Sequence, residues 1–432
     1  MDEKVVRYRA TAQDRMQDVS RTICDQLIHV VMRFDNTLDD ARLKRAVRLI
    51  HEVEPLLACR WTDERVPYWQ HKSGAYAIAS FMMIECEDPM AEAMQFLTVR
   101  ASPSADPLMQ CHLFRGKYDV VVLKVNHVMC DAHGARHLAY VLAQLYNDQG
   151  DTEWSAKVQM TDRGMRPIWK SFPLGQRLRF VRIALKVMRE RPSPRGTAWA
   201  MPFTSREARD PRMLLKHFDR TRSERIITYG KERKATVNDI FLNAFIRSAH
   251  AVIKPKEGVP VPFQVAFDLR QYAPGMGADL ANLTSAIYLS FAKDGSRSFE
   301  DDLKIVKAEM DRAKVEKRAA VGMPLLKLTY GTRSYSKVKV AFESMFDASV
   351  KQRNVRPLLT NLGRLDAERL GFGDVRPSNV FITSPITYPP LLVMGLSGYD
   401  GSFTITSGFC AYGIDPALMD RLMDEMDRQL PQ

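Results

Sequence analysis

An apolar, β-like run at 119–125 leads into Asn126-His127-Val128-Met129-Cys130-Asp131-Ala132-His133-Gly134. An amphipathic pattern follows at once. Leu138, Val141, Leu142, Leu145 and Tyr146 recur at helical spacing up to Gly150. A strand that feeds a helix so directly constrains the side chains between them. It carries His127 to the strand end, at the mouth of any cleft the sheet borders. It also puts Asp131 where a helix N-cap is expected. Imidazole is the side chain best suited to proton transfer near neutral pH. The bare HxxxD spacing is common by chance, so its position between strand and helix is what gives it meaning.

The same reading extends along the chain. Residues 26–34 alternate, with Ile28, Val30, Met32 and Phe34 on one face, and form a strand. Thr37 is expected to cap a helix from Leu38, buried through Leu43, Val47, Ile50 and Val53. Residues 96–100 read as a short strand, and 111–115 and 117–125 as two strands joined at Gly116. Residues 151–205 are basic, poorly periodic and punctuated by Pro167, Pro173, Pro192 and Pro194. The second half restarts at 225–229. Thr236 and Asp239 then make a capping box that opens a helix through Ile240, Phe241, Ala244 and Phe245. Strands are expected at 261–269, 285–291, 379–383, 391–396 and 402–410, with a closing helix over 415–430. Strands and helices are mixed in both halves. The expected fold is therefore two α/β sandwich subdomains, 1–165 and 206–432, with a basic linker at 166–205 and a cleft between them.

Composition narrows the function classes. The 432 residues carry a formal charge of +12, which favours an anionic partner. No nucleic-acid motif or zinc spacing is present, so nucleic acid is not the expected partner. No apolar run approaches the ~18 residues of a membrane span. The six cysteines, at 24, 59, 86, 111, 130 and 410, are far apart. That usage, with an acidic start lacking an apolar core, leads to the expectation of a cytoplasmic protein.

Asn126-His127-x-x-x-Asp131-Ala132 resembles the HHxxxDG motif of the condensation-domain and chloramphenicol-acetyltransferase superfamily. Further segments resemble that family in the expected order. They are Pro55-Leu56-Leu57-Ala58-Cys59-Arg60-Trp61 near the start, then Phe267-Asp268-Leu269-Arg270-Gln271-Tyr272 followed by Asn282-Leu283-Thr284-Ser285. Thr360-Asn361-Leu362-Gly363-Arg364-Leu365 comes last. The resemblance covers most of the chain and implies two chloramphenicol-acetyltransferase-like subdomains. It implies acyl transfer from a thioester, on coenzyme A or a phosphopantetheinyl carrier, to a hydroxyl or amine. His127 would be the general base. Asp131 would be structural, paired with Arg270, and Asn126 would support the site. Asn282 and Thr284 would contact substrate or hold a crossing strand. Asn126 stands in place of the first His and Ala132 in place of the Gly. A non-catalytic carrier- or lipid-binding member is therefore an alternative. No bound cofactor or metal is implied, and a monomer is expected.

Several residues have plainer readings. His133 and His137 could share a metal with Asp131, but no HExxH motif exists and a helix face explains them. Cys130 has no sequence-near base and reads as a buried filler. Within 176–191, Arg179, Arg182, Lys186 and Arg189 fall on one helical stripe beside Leu178, Val181, Leu185 and Met188. That helix is either a linker packed on the body or a docking face. As a docking face it would receive an acidic carrier protein or an anionic membrane, the latter fitting a membrane-surface lipid acyltransferase.

Overall fold

A computed structural model describes residues 6–72, 79–148, 163–189, 199–275, 278–331 and 334–432, with backbone alone for 187–189. The first-half strands are β1 (Arg7–Arg9), β2 (Leu27–Phe34), β3 (Cys59–Thr62), β4 (Tyr68–His71), β5 (Phe81–Glu85), β6 (Met109–Arg115) and β7 (Asp119–Asn126). The later ones are β8 (Pro211–Phe218), β9 (Pro260–Asp268), β10 (Thr284–Ala292), β11 (Leu358–Leu365), β12 (Asn379–Ile382), β13 (Val393–Tyr399) and β14 (Ser402–Cys410).

Two mixed sheets organise the molecule. One runs β12-β2-β7-β6-β5 and the other β10-β9-β11-β13-β14-β8; a small third sheet is β1-β4-β3. In the first sheet, β7 alternates as its sequence requires. Val121, Leu123 and Val125 pack with the helices Asp40–Val53 and Ala132–Asn147 in one core. Val120 and Val122 face the other way, in a cluster with Met213 and Cys410 of the second sheet. The second sheet has its own core, built with the helices Val237–Ile253, Phe299–Val315 and Pro416–Gln429. One strand crosses over. β12 lies late in the chain yet pairs antiparallel with β2, placing Ile382 opposite Val30. A late segment of the chain thereby supplies the edge strand of the first sheet through backbone hydrogen bonds.

Three local expectations are corrected. The first long helix is capped by Asp39, whose carboxylate accepts from the Arg42 N–H, and not by Thr37. Residues 96–100 are not a strand: Phe96 closes the helix Pro89–Phe96, and Leu97 continues as its C-cap. Residues 225–229 lie inside the helix Arg220–Glu232. The Thr236–Asp239 capping box is present, with both reciprocal hydrogen bonds made. All six cysteines are unpaired. No helix among the described residues is long and apolar enough to cross a membrane.

Candidate active site

β7 pairs with β2 as far as Asn126, which lies opposite Leu27. There the ladder ends. Gln26 adopts a left-handed φ of 56°, a region that side-chain-bearing residues rarely enter. Its carbonyl accepts from the His127 N–H at 2.8 Å. The chain then turns. Met129 N–H donates to the Asn126 carbonyl, and the Asn126 side-chain oxygen accepts from Val128 N–H at 3.1 Å. Asn126 thus stabilises the turn that presents His127.

The four residues after β7 are held through their carbonyls, because a buried carbonyl without a donor is costly. Asn282 donates its side-chain amide to the carbonyls of His127 and Val128, each at 3.0 Å. Arg163 donates to the Met129 carbonyl at 2.5 Å. The Cys130 carbonyl is 2.9 Å from Nδ1 of His127 itself. A carbonyl can only accept, so Nδ1 carries the proton there, and the neutral ring keeps its lone pair on Nε2. Burial pushes the His127 pKa below its ordinary value, partly offset by the Asp131 carboxylate and the Cys130 carbonyl.

Asp131 caps the helix Ala132–Asn147 through the Gly134 N–H at 3.3 Å. Its other oxygen accepts from Arg270 at 2.9 Å, Leu283 N–H at 2.8 Å and the Thr284 hydroxyl at 3.2 Å. Burial alone would raise its pKa, but Arg270 and these donors outweigh it and hold the carboxyl below its usual range. With its acceptor sites so occupied, Asp131 joins the strand-end loop to the segment after β9. Arg270 also donates to Asp268 and to the carbonyls of Ala278 and Ala281. Asn282 and Thr284 both turn their donors to this junction.

Ala132 does not need glycine's freedom: none of residues 127–134 has a positive φ. The demand for a small residue falls two positions later. A Cβ on Gly134 would lie 2.5 Å from Cβ and 2.7 Å from Sγ of Cys130. Cys130 is fully buried and its thiol pKa is pushed up by burial, so it packs rather than reacts. His133 and His137 face carboxylates. His137 Nε2 is 2.9 Å from Glu54, and His133 Nε2 is 3.6 Å from Asp279. No metal-binding cluster is found among the described residues.

Sequence reasoning missed a second buried ion pair. Arg163 reaches both oxygens of Asp14, at 2.8 and 3.0 Å, and donates to the Leu280 carbonyl at 2.8 Å. Asp14 also accepts from the Trp69 ring N–H at 3.0 Å. The Thr11–Asp14 capping box was a visible signal for Asp14; nothing local pointed to Arg163. The basic stripe lies elsewhere. Arg179, Arg182 and Lys186 are exposed on the helix Leu174–Arg189, and the Arg189 side chain is outside the described residues. A cavity of about 220 Å³, lined in part by Asn243, Arg247 and His250, includes none of the residues around His127.

No protein-family model matches the sequence. No curated protein matches it either. Solved structures do. A trichothecene 15-O-acetyltransferase from Fusarium sporotrichioides aligns at TM-score 0.74 and 11% identity, over 99% of this chain and 95% of that one. The first condensation domain of the CDA synthetase aligns at TM-score 0.69 and 15% identity, covering 98% and 95%. The epimerization domain from the third module of tyrocidine synthetase B aligns at TM-score 0.68 and 14% identity, covering 99% and 95%. At such identities the likeness concerns the fold, and it spans nearly the whole of each chain. This chain therefore has the two-subdomain α/β fold of condensation domains and chloramphenicol-acetyltransferase-like enzymes.

Proposed function

We propose that the protein transfers an acyl group from a thioester to a hydroxyl or amine, with His127 as general base. The observation that carries this reading is the Nδ1 contact to the Cys130 carbonyl, which leaves Nε2 as the basic nitrogen. The fold alone does not choose the reaction, because it also occurs in an epimerization domain. The choice rests on a positioned, neutral imidazole in a chain without a GxxxxGK loop to activate a free acid with ATP.

In the proposed step, Nε2 takes the proton of the acceptor O–H or N–H as the acceptor attacks the thioester carbonyl carbon. The tetrahedral intermediate then collapses and the C–S bond breaks. The leaving thiolate recovers the proton from the imidazolium, so the ring ends neutral. Asp131 is too committed to Arg270, Leu283 and Thr284 to act as a second base. It holds the loop in register with the second half. Asn126, Asn282 and Thr284 support the same loop. The donor is coenzyme A or a phosphopantetheinyl carrier, both anionic, in keeping with the +12 charge.

The test is free-thiol release by the purified protein from a panel of acyl thioesters crossed with alcohols and amines. Release that needs both a thioester and an acceptor, and that is lost in His127→Ala, supports the reading. Acyl transfer from a free acid and ATP without any thioester refutes it. Tight thioester binding with no turnover across the whole panel would favour the non-catalytic alternative.

A further inference from the structure

The helix Leu174–Arg189 does not bury the face that its hydrophobic pattern suggests. Phe180 and Ala184 face the body and are buried, at 2% and 0% exposure. Leu174, Leu178 and Leu185 are instead 63%, 52% and 39% exposed. At 100° per residue, these leucines fall within about 40° of one another and form a line roughly 16 Å long. Arg182, Lys186 and Arg179 occupy the adjoining arc and are also exposed. The outward surface is therefore a leucine ridge flanked along its length by cations.

The charge on this segment itself has a single sign, and the Glu316 carboxylate lies near Arg179. Residues 166–189 contain seven Lys and Arg and no Asp or Glu, which is more than half of the chain's net +12. A basic patch alone would also suit an acidic protein, so the exposed leucines are what distinguish this face. A row of exposed leucines bordered by cations is the pattern of a helix that lies in an anionic membrane interface. We propose that this face lies in the plane of an anionic lipid surface. Leu174, Leu178 and Leu185 would enter the acyl boundary, and Arg179, Arg182 and Lys186 would meet the headgroup phosphates. This inference is independent of the acyl-transfer reading, since it concerns a different surface and a different measurement.

The test is co-sedimentation of the full chain with vesicles of equimolar phosphatidylglycerol and phosphatidylcholine, and with vesicles of phosphatidylcholine alone. The wild type should pellet with the anionic vesicles and much less with the neutral ones. Arg179→Glu with Arg182→Glu should weaken anionic binding by more than about tenfold. Leu178→Ser with Leu185→Ser should also weaken it, and the residual binding should become more salt-sensitive. All four positions are exposed, so melting temperatures should match the wild type. Failure of the wild type to pellet overturns the proposal, and so does wild-type binding by both double variants. A chain that ignores anionic vesicles but is held through these arginines by an immobilised acidic acyl carrier protein also overturns it, and assigns the helix to protein docking.

Discussion

Asp131 and Arg270, 139 residues apart in sequence, meet at 2.9 Å with side chains only 5% and 13% exposed. This contact ties the strand-end loop to the segment after β9, so the setting of His127 depends on both halves of the chain. Removing either partner leaves a buried charge without compensation, which costs about 3–5 kcal/mol. Asp131→Asn and Arg270→Met should each lower stability on that scale, and the double variant should lose less than the sum. A double-mutant cycle in denaturant reads the coupling directly, and zero coupling would mean that the pair contributes nothing. The pH dependence has a definite sign. The folded pKa of Asp131 lies below its ordinary value of 3.8. Its contribution is therefore present above that value and is lost as pH falls through the folded pKa.

His127→Ala should reduce acyl transfer about 10²–10⁴-fold while leaving the melting temperature nearly unchanged. Wild-type kcat/KM should fall on the acid side with a midpoint below that of ordinary imidazole, because burial favours the neutral ring. An acid limb at or above pH ~6.5 would contradict the placement of the base.

Gly134→Ala should destabilise the protein by about 1–3 kcal/mol, since the new methyl overlaps Cys130. The loss should extend to turnover, because displacing Cys130 moves the carbonyl that orients His127. Cys130→Ala in the same background should restore only part of both. It removes the Sγ contact at 2.7 Å but keeps the Cβ contact at 2.5 Å. Thermal melts and thiol-release rates on the wild type and the two variants check this order.

Arg163→Lys keeps the charge but loses the planar fork that grips Asp14 and the Met129 and Leu280 carbonyls. Each carbonyl left without a donor should cost about 1–3 kcal/mol. Turnover should fall as well, since Met129 lies within the loop that orients His127. A lysine variant with wild-type melting and wild-type thiol release would remove Arg163 from the support of the site.

Parts of this arrangement were legible in the sequence because their physics is local. The end of β7 and the start of the next helix follow from a change of hydrophobic period, and the Thr236–Asp239 box is written in four residues. The Asp131–Arg270 pair was legible only through the order of motifs that resemble a known family. The first long helix starts at Asp40, two residues beyond the expected Leu38. Asp39, not Thr37, caps the first long helix, because it sits one residue before the first helical turn.

What the sequence determined by itself was that His127 stands at a strand end with Asp131 as a helix cap behind it. Which ring nitrogen of His127 is basic was decided only in three dimensions. That choice depends on where the Cys130 carbonyl points. Its neighbours are fixed by Asn282, Arg163 and Arg270, residues far away in the chain. Tertiary structure also decided that Leu178 and Leu185 face outward, although their spacing alone suits a buried stripe equally well. The reason is the same in both cases. Periodicity and capping fix the geometry of a single element, whereas burial and hydrogen-bond satisfaction depend on which distant element closes over it.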